Sequence, residues 1–174
     1  MTCPMSPKIR IGISSCLLGN NVRYDGGNKV DYFLRDRLGP FIEWVPVCPE
    51  VESGLSVPRE AMHLIGDRDV PRLVTVLTGI DHTERLTKWA RGRLAELSHL
   101  GLCGFVFKAR SPSCGVRDAE IVTPSGGIAR KGAGLFAAAI MAWSPNLPIA
   151  DEEGIRDDAS RQNFMNRVFA YQHR

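Results

Sequence analysis

Residues 9–15 form a short apolar run, rich in β-branched side chains, that stops abruptly at Ser-Cys-Leu-Leu-Gly. Runs of this length bounded by turn residues read as buried strands. The pattern recurs at residues 41–47 (stopped by Pro49), 72–77 and 104–109. Between the third and fourth runs, residues 81–100 carry Leu86, Trp89, Leu94 and Leu97 at roughly helical spacing, with Gly101 as the stop. Residues 30–38 and 133–143 read as further helices, 121–128 as a hairpin around Ser125-Gly126-Gly127, and 147–150 as a last strand. Residues 157–171 are again helical in pattern. Residues 48–61, with two prolines and a glycine, read as a loop. Strands that alternate with helices predict an α/β domain built on a mostly parallel sheet.

Composition narrows the class. At 174 residues, 44% hydrophobic and 24% charged, the chain suits one well-buried domain and not a disordered or fibrous protein. No apolar run approaches the ~20 residues of a spanning helix, and no apolar secretory segment opens the chain. The expectation is a cytoplasmic protein with no membrane partner. A net charge of +3 permits a polyanionic partner without requiring one.

In open α/β sheets, ligands bind beyond the carboxyl ends of the strands. Three of the five cysteines fall there: Cys16 after the first strand, Cys48 at the end of the second, and Cys114 in the loop after the fourth. Cys103 reads as core and Cys3 as an idle terminal residue. Three convergent thiols predict a metal centre, since thiolate-only ligation selects Zn²⁺, Cu(I) or an iron–sulfur cluster. A structural zinc would want a fourth ligand, commonly from a Cys-x-x-Cys pair that the chain lacks. On a [4Fe-4S] cluster, three cysteines leave one iron open as a Lewis acid. Small buried thiols with no ligand are the plainer alternative. Glu50 stands two positions after Cys48 and suits general acid/base work, and Ser111, three before Cys114, suits a hydrogen bond to substrate or water. Arg59, Lys108 and Arg110 are placed to meet phosphates, and Arg23-Tyr24-Asp25 with Gly26-Gly27 is a weak phosphate- or base-handling pattern. Walker A and Gly-x-Gly-x-x-Gly signatures are absent.

Ser14-Ser15-Cys16-Leu17-Leu18-Gly19, Val22-Arg23-Tyr24-Asp25-Gly26, Val47-Cys48-Pro49-Glu50 with Gly54-Leu55, and Lys-Ala-Arg-Ser-Pro-Ser-Cys-Gly at 108–115 together resemble the thiouracil desulfidase family. The resemblance runs over residues 9–143. It implies a Rossmann-like three-layer domain with a [4Fe-4S] cluster on Cys16, Cys48 and Cys114, and catalytic roles for Glu50 and Ser111. The implied reaction is hydrolytic removal of sulfur from a thiolated pyrimidine base or nucleoside, with no net change of oxidation state.

Residues 151–154 and 163–171 resemble the segment that joins this domain to a helical C-terminal domain in 4-thiouridine tRNA desulfidases. That implies one iron–sulfur desulfidase domain over 1–174, with 151–174 as a linker or helical tail and tRNA as a further possible partner. Two rival readings accompany it: a cluster-bearing sensor or sulfur-carrying module without turnover, and a zinc-stabilised nucleic-acid-binding domain.

Overall fold

The computed structural model describes residues 8–123 and 127–173. Its strands are β1 (Ile9–Ser14), β2 (Ile42–Val47), β3 (Met62–Gly66), β4 (Pro71–Thr75), β5 (Gly104–Phe107), β6 (Ala119–Val122), β7 (Ile128–Gly132) and β8 (Ile149–Asp151). The α-helices are α1 (Pro49–Glu52), α2 (Thr83–Ser98), α3 (Leu135–Trp143) and α4 (Asp158–Gln172). A 3-10 turn spans Ser15–Leu18 and a π-helical turn spans Phe33–Leu38. Among the described residues, no helix is long and apolar enough to cross a membrane.

The strands divide between two four-stranded sheets. The first, in the order β2-β1-β5-β8, is parallel throughout. Side chains on a strand alternate between faces, and β5 shows the consequence. Phe105 and Phe107 enter one apolar cluster with Ala90 and Leu97 of α2 and Phe136, Ala137 and Ile140 of α3. Val106, between them, joins Ile11, Ile13, Leu34, Phe164 and Val168 in a cluster on the opposite face. Helices therefore cover both faces of the sheet, the three-layer arrangement the resemblance implies. Phe105 and Phe107 stack with centroids 4.2 Å apart, and Phe136 meets both edge-on. Gly12 makes room for that stack, because a Cβ there would lie 2.2 Å from the Phe105 ring.

The second sheet, in the order β4-β3-β6-β7, departs from the sequence reading. Residues 72–77 supply β4, shorter than expected at Pro71–Thr75, and it runs antiparallel to β3. Leu77, read as its end, is 86% exposed. β3 itself was not anticipated: Met62 and His63 give no β-branched signal, and Leu64 alone is fully buried. The segment 48–61 contains the short α1 as well as loop. The helix expected over 30–38 is reduced to the π-helical turn, with Leu34 its buried residue and Asp31 accepting from the Leu34 N–H at 3.0 Å. Ser125 and Gly126 of the expected hairpin turn, and Cys3, lie outside the described residues, while β6 and β7 pair antiparallel as a hairpin should.

Helix α4 occupies the region read as a linker or tail, and its Phe164 and Val168 are buried against the first sheet. Truncating a buried phenylalanine removes both transfer energy and packing. Phe164→Ala should lower the unfolding free energy by about 3–5 kcal/mol in denaturant melts; a loss within ~0.5 kcal/mol, the range of an ordinary surface substitution, would mean that α4 does not belong to this core.

Candidate active site

Strand β1 is flanked by β2 and β5 in parallel register, with Ser14 opposite Val47 and Ile13 opposite Val106. The three strand tips therefore end side by side. Each tip turns differently. After β1, Cys16 sits in the 3-10 turn, which closes at Gly19 (φ 93) with the Gly19 N–H on the Cys16 carbonyl at 3.3 Å. After β2, Cys48 is the N-cap of α1 with Pro49 in the first turn, and the Cys48 N–H donates to Glu52 Oε1 at 2.9 Å. After β5, the Ser111 Oγ accepts from the N–H groups of Ser113 (3.3 Å) and Cys114 (3.2 Å), and the Gly115 N–H closes back on the Ser111 carbonyl at 2.8 Å.

Helix α3 begins directly on this last loop. The N–H groups of its first turn, which have no partner within a helix, donate to the carbonyls of Pro112 (3.1 Å) and Ser113 (2.9 and 3.2 Å). Gly134 allows the approach, since a Cβ there would lie 2.5 Å from the Ser113 carbonyl carbon.

The tips enclose a cavity of about 430 Å³ lined by Cys16, Cys48, Cys114, Glu50 and Ser111, the five site residues expected from the sequence. Its far wall comes from Arg23, Tyr24 and Lys29, with Ala61 and Met62 at the start of β3. That volume suits a small-molecule ligand. No histidine lines it, and Cys103, also buried, lies elsewhere.

Burial governs the thiols. Cys16 is pushed up to about 11 by desolvation and by the neighbouring Cys48, with Lys108 and Arg23 pulling the other way. Cys48 is raised by burial, and Cys114 is raised well above its ordinary value by burial, partly offset by a hydrogen bond from Ser14. Without a compensating cation, all three are neutral thiols at physiological pH.

Glu50, Glu152 and Glu153 each hold a basic partner. Glu50 Oε2 accepts from Arg59 Nε at 2.9 Å and from Arg59 Nη2, and Glu50 Oε1 accepts from Ser113 Oγ at 2.8 Å. Lys108 Nζ meets Glu152 Oε1, and Glu152 Oε2 accepts from the Ala109 N–H at 2.7 Å. Arg110 pairs with Glu153. Arg59, Lys108 and Arg110 are thus engaged with carboxylates, not left free for phosphates. Ser113 was missed by the sequence reading: it is one of two serines in Ser-Pro-Ser-Cys, and nothing in the spacing says which one reaches Glu50.

This arrangement coincides with a known family. The sequence profile of the 2-thiouracil desulfurases matches residues 11–152. The chain belongs to the 2-thiouracil desulfurase family. Among solved structures, the [4Fe-4S]-dependent thiouracil desulfidase TudS is similar with a TM-score of 0.70 and 30% identity, covering 90% of this chain and 99% of that one. The Bacillus subtilis (strain 168) protein YbbK, described only as uncharacterized, is 35% identical over 109 residues, which are 59% of this chain and 71% of YbbK. The desulfurase profile spans both sheets and all three cysteine loops, and it ends at Glu152, the partner of Lys108.

The raised thiols make a pH prediction for this desulfurase in its iron-free form. A cysteine of the unfolded chain ionises near 9.0, whereas folded Cys16 keeps its proton to about 11. Between those values the folded state binds more protons, so stability falls as pH rises. The contribution is fully present below 9.0 and is lost as pH passes about 11, and Cys48 and Cys114 act in the same direction. Denaturant melts stepped across that window should show the decline; a flat profile would count against buried thiols.

Proposed function

We propose that this protein is a [4Fe-4S]-dependent hydrolytic desulfidase of thiolated uracil, with the cluster held by Cys16, Cys48 and Cys114. The observation that carries the reading is one cavity lined by a carboxylate and three cysteines, Cys16 and Cys114 buried and Cys48 half-buried. The donor set fits the group. Three cysteines and no histidine line the cavity, the thiolate-only set that an iron–sulfur cluster takes. A cluster offers separate irons to separate thiolates, so its ligands need not share one centre. Membership of the 2-thiouracil desulfurase family and the [4Fe-4S] dependence of the similar structure TudS support the same choice.

When bound, the cluster supplies a Lewis-acidic iron with affinity for sulfur. The protein's own groups supply the proton handling. Glu50 receives hydrogen bonds from Arg59 and Ser113 and so is held as an acceptor, suited to take a proton from water. Ser111, whose oxygen already accepts from two backbone N–H groups, keeps its hydroxyl proton for a partner in the cavity. The balance is hydrolytic: the thiocarbonyl and one water give a carbonyl and hydrogen sulfide, with no electrons exchanged. A pyrimidine base or nucleoside suits the cavity volume. For 4-thiouridine in tRNA, the support is the family resemblance of residues 151–171 and a net charge of +3.

The test is anaerobic reconstitution followed by incubation with 2-thiouracil, 4-thiouracil, 4-thiouridine and thiolated tRNA, reading sulfide release and loss of thione absorbance. The expected result is stoichiometric sulfide from at least one of them; a reconstituted protein inert toward all would overturn the reading.

Cys16→Ala, Cys48→Ala and Cys114→Ala should each lose bound iron and activity, while Cys103→Ala retains both. A fully loaded and active variant at any of the first three positions would remove that residue from the ligand set. Glu50→Gln should keep its iron and lose activity by about 10²–10⁴-fold, the usual contribution of a positioned acid or base. Wild-type turnover in that variant would end the proton-transfer assignment.

A further inference from the structure

Glu50 does not stand alone in the cavity wall. Its carboxylate is 14% exposed, and its Arg59 partner is 8% exposed. Ser113 is 1% exposed and does not line the cavity, so its bond to Glu50 Oε1 comes from behind. Arg59 is itself held from several sides. Its Nη2 also donates to the Val22 carbonyl at 2.9 Å, its Nη1 donates to the Ser56 carbonyl at 3.1 Å, and its backbone N–H donates to the Tyr24 carbonyl at 2.9 Å. Four of its five N–H bonds are directed at named acceptors, which fixes the guanidinium plane.

A desolvated ion pair of this kind adds little net stability compared with apolar packing of the same volume. If only closure of the 48–61 loop were needed, aliphatic side chains would serve. What the pair does provide is a carboxylate whose position and hydrogen-bond directions are set in advance, and such preorganisation is worth most where a proton must move. Ser113 completes the restraint from the opposite side and ties the Cys48 segment to the Cys114 loop through a single carboxylate.

We propose that Arg59 and Ser113 are positioning residues for Glu50: together they lock its carboxylate, as an acceptor, in the wall of the cavity. The inference rests on the reading of Glu50 as the proton carrier of the desulfidase. It predicts that both residues act through Glu50 and not through substrate affinity or cluster retention.

The experiment compares Arg59→Met, Arg59→Lys, Ser113→Ala, Glu50→Gln and the double variant Arg59→Met/Glu50→Gln with the wild-type enzyme. Three quantities are read: iron and sulfide content after anaerobic reconstitution, the thermal midpoint of the iron-free chain, and kcat and KM for the best thiouracil substrate. Arg59→Met is expected to load iron like the wild type and to lose about 10²-fold in kcat, with KM changed by less than about threefold. Arg59→Lys should recover part of that loss, and Ser113→Ala should lose about tenfold in kcat. In the Glu50→Gln background, Arg59→Met should cost nothing further, because the group it positions no longer carries a proton.

Wild-type kcat in Arg59→Met, a loss that tracks iron content in proportion, or losses that multiply in the double variant would each overturn the positioning role. If Arg59→Met does not fold, Ser113→Ala with its own Glu50→Gln double carries the same test. An inert wild-type enzyme would overturn the desulfidase reading and this inference together, whereas an active wild type with a multiplicative cycle would overturn this inference alone.

Discussion

The parallel pairing of β1 with β2 on one side and β5 on the other is the constraint on which the site depends. Parallel register aligns strand ends in space however far apart they lie in sequence. Once Ser14 is opposite Val47 and Ile13 opposite Val106, residues 16, 48 and 108–115 must emerge from the same edge. A bond from the Lys108 N–H to Ser14 Oγ at 2.9 Å carries that alignment one step past the last strand pair. The crossovers demanded by parallel topology place α2 and α3 on one face, so the apolar stack of Phe105, Phe107 and Phe136 lies directly beneath the three tips. Packing against this layer, which Cys114 itself joins, thereby helps to fix the spacing of the thiols.

On that platform, the charged groups are disposed economically. Two carboxylates with little exposure, Glu50 and Glu152, each face one cation and one further donor: Arg59 and Ser113 for the first, Lys108 and the Ala109 N–H for the second. Each pair bridges segments that the sheet alone would leave independent. Glu50 links the β2 tip to the β5 loop, and Glu152 ties the segment after β8 back to the end of β5. Neither bridge would be favoured on stability grounds alone, because desolvating both charges offsets most of their attraction. Both sit beside thiols whose ionisation burial opposes, where fixed charges act with little screening.

How much was legible beforehand follows from the kind of signal each feature leaves. The strands at 9–14, 42–47 and 104–107 announce themselves as short, mostly apolar runs, of which 104–107 is buried throughout, and the three cysteines inherit their visibility from those strands. Glu50 and Ser111 were legible by proximity, two and three residues from a cysteine. Strand β3 was not, because its burial is partial and most of its pairing comes from the antiparallel β4, a partner no local pattern specifies. Arg59 could be placed near the pocket, but its orientation depends on carbonyls at Val22, Ser56 and Tyr24, which are contacts between loops. Side-chain clamps made across irregular segments have no period, so a sequence shows their residues and hides their partners. The helical character of 157–171 was visible, whereas the docking of Phe164 and Val168 is a tertiary fact.

The dispersal of the thiols separates this site from metal sites that fold their own domain. A structural zinc site draws paired ligands from one turn, and the chain around it is unfolded until the ion binds. Here each cysteine belongs to a different loop, and each loop is closed by its own device: Gly19 in the left-handed conformation, α1 capped through Glu52, and Gly115 bonded back to Ser111. Cys16 and Cys114 also belong to the two apolar clusters on opposite faces of the sheet, so each packs into the core and also lines the cavity. Burial holds all three thiols neutral, which spares the fold three uncompensated charges. The same burial favours a cationic centre once one is offered, because ligation replaces the lost hydration of each thiolate with a bond to metal. The scaffold is thus organised by its hydrophobic layers, and the three thiols line one cavity at their edge.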